Sequence, residues 1–174
     1  MRQNVGFSKI VGLGNHLNVD FPEMVAYLMD DPDTGAVALY IEGMDEPRRF
    51  IETMKKTRFA KPVVAYKTGS SRTGNQASQS HTGSLAGRHE IYEGALRQSG
   101  VLFVDSAQML LDAAHALAGC PPPNGGRIAI LTGQAGPGMA ASDVCESEGL
   151  EMAAFHPETQ RLINEFLPPL AMRT

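Results

Sequence analysis

The chain has 174 residues, 43% of them apolar and 20% charged, with a net charge of −4 from 15 basic and 19 acidic side chains. That length supports one well-buried core, or one domain and part of another, and the mixed charge argues against a nucleic-acid face. No apolar run reaches the roughly 20 residues that cross a bilayer, and MRQNVGFSKI lacks a signal-peptide core, so a cytoplasmic protein without membrane contact is expected. Cys120 and Cys145 show no CxxC spacing, and the five histidines form no ligand pair at helical spacing. Neither a disulfide framework nor a metal held by this chain alone is expected.

In chain order, Phe7–Gly12 alternates weakly and predicts a short strand. Asp20 can then cap a helix, with Pro22 in the first turn and Glu23 closing a capping box. Ala36–Ile41 is a continuous apolar run that predicts a strand buried on both faces. A helix over Pro47–Arg58 and a buried strand over Pro62–Tyr66 follow. Past a long polar stretch, Glu90–Ser99 predicts a helix stopped by Gly100, Val101–Val104 a strand, and Ser106 the cap of a helix reaching Ala118. This alternation calls for a parallel sheet covered by helices on both faces, an α/β fold.

GCPPPNGG at 119–126 reads as a linker. Residues 1–118 then form one domain, and 127–174 form an incomplete second domain of similar type. In that second part, Arg127–Leu131 and Leu150–Phe155 predict strands, and Pro137–Glu148 and Pro157–Phe166 predict helices.

The polar stretch Lys67–Gly87, KTGSSRTGNQASQSHTGSLAG, carries one histidine, His81, among Gly, Ser, Thr and Gln. A loop this long inside a compact domain is functional or disordered, and one following a strand of a parallel sheet lies on the ligand-binding edge. Its hydroxyls, amides and the cations Lys67 and Arg72 suit an anion. The two cations read either as loop-stabilising or solvated groups or as phosphate ligands. GQAGPG is not a dinucleotide fingerprint, its order being GxxGxG, and KTGSSRTG is not a P-loop.

YIEG at 40–43, the SHTG core within 61–87, QSGV at 98–101 and RIAILTGQAGPG at 127–138 together resemble the nucleoside-diphosphate-forming acyl-CoA synthetases, relatives of succinyl-CoA synthetase. The resemblance implies a flavodoxin-like fold for the first domain and for the incomplete second one, and a ligase that joins a carboxylate to CoA through a phosphohistidine. It places that phosphohistidine at His81, the carboxylate that holds its ring at Glu42, and a phosphate cradle at Gly136, Pro137, Gly138 and Met139. Ser80, Thr82 and Gly83 flank the histidine as further candidate phosphate-binding groups.

A neutral imidazole becomes a better nucleophile when its other nitrogen donates to a carboxylate, and helix N-termini favour phosphate. The resemblance also implies that CoA, ATP or GTP and Mg²⁺ serve the full-length enzyme, with no cofactor bound by this chain. Its partners would then be phosphate, acyl phosphate or acyl-CoA, a CoA-binding domain and an ATP-grasp domain or subunit. The chain is expected to be a fragment lacking those two domains and inactive alone, and the sequence leaves a homo-oligomer open. The alternative is a ligand-sensing or regulatory module like the related domains fused to protein acetyltransferases.

Overall fold

The computed structural model describes residues 6–58, 60–69, 89–121 and 123–167. The chain divides into two compact units, Met1–Pro121 and Pro122–Thr174.

The first unit opens with α1, Phe21–Asp30. The Phe21 N–H donates to Asp20 Oδ1 at 2.7 Å and the Asp20 N–H to Glu23 Oε2 at 3.3 Å, so the capping box satisfies donors that a helix start would otherwise leave unpaired. Strand β1 (Val37–Ile41), helix α2 (Pro47–Lys56) and strand β2 (Val63–Lys67) follow. Helix α3 (His89–Gln98), strand β3 (Leu102–Val104) and helix α4 (Ala107–Gly119) complete the unit. Gly100 takes φ 71°, the left-handed geometry that ends α3, and the Ser106 hydroxyl accepts from Met109 N at 3.1 Å to start α4.

The three strands lie in the order β1-β2-β3, all parallel, with Val37 opposite Val63 and Val64 opposite Leu102. One face carries a core of Val37, Leu39, Ile41, Val63, Ala65 and Phe103 with Val25 of α1, Phe50 and Met54 of α2, and Tyr92 and Leu96 of α3. On the other face, Val64 and Val104 pack with Leu110 of α4. This is the expected flavodoxin-like arrangement, helices covering both faces of a parallel sheet.

Two expectations change. Strand β1 is buried on one face only, since Ala38 and Tyr40 are exposed. Among the described residues it pairs with β2 and no other strand, and the double burial expected of it falls on the central strand β2. Phe7–Gly12 forms no strand, and Ile10 is 82% exposed. Its weak alternation finds no partner among the described strands, and an unpaired extended segment leaves its backbone groups to solvent.

The second unit is slighter. Strands β4 (Arg127–Ile128) and β5 (Glu151–Met152) pair in parallel, with helices α5 (Ala135–Ser147) and α6 (Pro157–Phe166). Both strands are far shorter than the apolar runs that predicted them. Leu131 is 88% and Phe155 46% exposed, so the outer parts of those runs enter no core among the described residues. No helix among the described residues is long and apolar enough to cross a membrane.

Candidate functional site

The carboxyl ends of β1 and β2 meet at one point. The Thr68 N–H donates to Ile41 O at 2.9 Å and its hydroxyl to the same oxygen at 3.3 Å, extending the ladder one residue past the Ile41–Lys67 pair. Glu42 is the next residue, exposed at the turn leaving β1. Two residues on, the buried Met44 is held across the unit by α3. Its N–H donates to the Tyr92 hydroxyl at 3.1 Å, and that hydroxyl donates to Met44 O at 3.3 Å. The turn bearing Glu42 is thus tied down on both sides, by Thr68 and by Tyr92.

Lys67 is the last residue of β2, not the first residue of a polar loop, and it is 2% exposed. Strand period two puts it inward with Val63 and Ala65. Its ammonium donates to Thr68 O at 2.6 Å and stands 5.3 Å from the Tyr92 ring centroid, a cation–π distance. Burial lowers its pKa from the ordinary lysine value, and the negative charge of Glu42 opposes that shift. Lys67 is therefore not a solvated cation. Burial likewise raises the Tyr92 phenol above its ordinary value, the Met44 hydrogen bond lowering it in part. Met44 and Tyr92 also border an apolar cleft of about 280 Å³ between α2 and α3, lined further by Phe50, Ile51, Ile91 and Leu96.

Gly136, Pro137, Gly138 and Met139 lie in the second unit, within the first turns of α5, as expected of a helix start. The helix begins at Ala135, ahead of the predicted Pro137. A proline is tolerated there because first-turn N–H groups have no intrahelical partner. The Thr132 hydroxyl organises the approach, accepting from Gln134 N at 3.2 Å and donating to Gln134 O at 3.1 Å. A Cβ on Gly138 would come within 2.9 Å of Thr132 Cγ2, so the turn closes around a glycine. The remaining first-turn N–H groups, exposed at this end, are the chemistry that suits an anion.

His81, Ser80, Thr82, Gly83 and Arg72 lie outside the described residues. Of the predicted site, Glu42 and the α5 start are therefore placed, each in its own unit. The residues that sequence reasoning missed are Tyr92 and the buried role of Lys67. The signal for Lys67 was the inward register of Val63 and Ala65, which continues to position 67. Among the described residues, no group of three His, Cys, Asp or Glu side chains could hold a metal ion.

Comparison with known proteins agrees with this fold. The model of the succinyl-CoA ligase like flavodoxin domain matches residues 1–117. The alpha subunit of acetate–CoA ligase [ADP-forming] II from Pyrococcus furiosus is 43% identical over 98% of this chain, which spans 37% of that relative. Acetate–CoA ligase [ADP-forming] I from Archaeoglobus fulgidus is 43% identical over 96% of the chain, which spans 24% of it. The solved dinucleotide forming acetyl-coenzyme A synthetase 1 of Ca. Korarchaeum cryptofilum, in complex with phosphate and ADP, superposes with a TM-score of 0.84. It is 35% identical, over 97% of this chain and 37% of that one. The chain thus spans about a third or less of the relatives it matches. The chain's parallel sheet agrees with that fold, and the match over residues 1–117 places it in the succinyl-CoA ligase like flavodoxin domain family.

Proposed function

We propose that this chain is the phosphoryl-relay part of a nucleoside-diphosphate-forming acid–CoA ligase, acting with a CoA-binding domain and an ATP-grasp domain or subunit in the cytoplasm. Phosphate attacks the acyl-CoA carbonyl and expels CoA, leaving an acyl phosphate. An imidazole nitrogen of His81 then attacks that phosphorus and expels the carboxylate. The phosphohistidine passes its phosphoryl group to ADP or GDP, and every step reverses in the direction of acyl-CoA synthesis. Residues 127–174 are read as part of a second flavodoxin-like domain whose α5 start cradles the phosphoryl group.

The observation that carries this reading is the turn after β1. Glu42 stands exposed at the carboxyl edge of the sheet, on a turn fixed by Thr68 and Tyr92. A carboxylate held there can accept the second imidazole N–H of His81, fixing the tautomer and raising the basicity of the attacking nitrogen. Catalysis is then mostly positioning and electrostatics. The ligase names of the relatives support the catalytic reading over the sensing module.

The test is ATP formation by the complete ligase carrying this segment, supplied with acetyl-CoA, phosphate, ADP and Mg²⁺. Wild type forms ATP only with all substrates present, and His81→Ala forms none. ATP formation undiminished in His81→Ala contradicts the proposal.

A further inference from the structure

We infer that Lys67 is a positioning residue for the Glu42 carboxylate, a buried ammonium at the end of β2 that braces the turn presenting it. The inference rests on the relay reading of Glu42 given above.

Glu42 sits between two clamps, and Lys67 touches both. On the upstream side Thr68 bonds Ile41 O, and Lys67 Nζ donates to the carbonyl of that same Thr68. On the downstream side Tyr92 bonds the backbone of Met44 through its hydroxyl, and its ring carries the Lys67 ammonium at 5.3 Å from its centroid. One cation therefore links the two contacts that fix where Glu42 emerges. The negative charge of Glu42 in turn opposes the effect of burial on Lys67.

Stability alone does not account for a lysine here. Val63 and Ala65, inward on the same strand face, are apolar and buried, and taking an ammonium out of water at the same register costs free energy that an apolar side chain would not. An ammonium kept in that place at the ligand edge of a parallel sheet has the character of a functional group.

The experiment is a double-mutant cycle in the complete ligase, with single-turnover loading of His81 from acetyl phosphate as the readout beside the melting temperature of each variant. Lys67→Met is expected to melt at or above the wild-type temperature and to load about tenfold more slowly. The Glu42→Gln, Lys67→Met double variant is expected to load no more slowly than Glu42→Gln, because Lys67 acts through Glu42. Should Lys67→Met fail to fold, Lys67→Gln, which keeps a donor for Thr68 O but no charge, is read in the same way.

Loading at the wild-type rate, a slowing that multiplies with that of Glu42→Gln, or a slowing that only follows a fall in melting temperature overturns the inference. Label lost in His81→Ala with Lys67→Met at full rate overturns this inference and leaves the relay standing. Label retained in His81→Ala removes the relay and this inference with it.

Discussion

The Tyr92 hydroxyl closes a hydrogen-bonded pair with the Met44 backbone, taking its N–H at 3.1 Å and giving to its carbonyl at 3.3 Å across 48 residues of sequence. Both groups are buried, so Tyr92→Phe leaves a donor and an acceptor unpaired, at a cost of about 1–3 kcal/mol. Urea denaturation is expected to show that loss. Because the pair also fixes the turn after β1, phosphoryl loading in the complete ligase should slow as well.

The same phenol makes a pH signature. Burial raises its pKa, so the folded state keeps the proton that the unfolded chain releases near pH 10. Its contribution to stability is complete below that pH and is lost as the pH rises through the folded value. Tyr92→Phe should flatten that alkaline decline, and an unchanged decline would contradict the burial of the ring.

Asp31 behaves in the opposite sense. It accepts from Lys9 Nζ at 2.7 Å and from the Thr34 hydroxyl at 2.5 Å, and these two bonds, the lysine first, lower its pKa against some desolvation. Its contribution is therefore complete above the ordinary carboxylate value near pH 4 and is lost as the pH falls through the lowered one. In acid titrations followed by circular dichroism, Asp31→Asn should lose stability less steeply below pH ~4 than wild type. Equal slopes would show that the Lys9 bridge does not persist in solution.

At the start of α5, Gly138→Ala sets a helix preference against a clash. Alanine is favoured over glycine by up to about 1 kcal/mol in a helix, but its Cβ meets Thr132 Cγ2 at 2.9 Å, and that side chain is held by its bonds to Gln134. Gly138→Ala alone should lower amide-exchange protection in α5. Adding Thr132→Ser removes the methyl and keeps the hydroxyl, and should restore protection to at least the wild-type level.

These features differ in how far the sequence could reveal them. The Asp20–Glu23 capping box, the Ser106 cap and Gly100 were legible because each is settled by neighbours within a few residues. Strand content in the second unit was not: Leu131 and Phe155 read as core, yet burial depends on distant partners that the described residues do not supply. The same dependence explains Phe7–Gly12, whose alternation found no neighbour among the described strands, and Ala38 and Tyr40, exposed on the face where the small core of Val64, Val104 and Leu110 does not include them.

At the site, Glu42 could be placed at a strand end from YIEG alone. The inward register of Val63 and Ala65 pointed to the burial of Lys67, but its partner was not legible, because the ring that receives its ammonium belongs to Tyr92, beyond the polar stretch in sequence. The family motif reached His81 where periodicity could not.

The most direct measurement of the relay is the intact mass of the complete ligase after brief exposure to acetyl phosphate, followed by peptide mapping under alkaline conditions that preserve phosphohistidine. The account predicts one acid-labile phosphoryl group on His81, absent in His81→Ala and slowed about 10²-fold in Glu42→Gln, as for loss of an acid–base partner. A phosphoryl group elsewhere in residues 1–174, or labelling unchanged in His81→Ala, would contradict it.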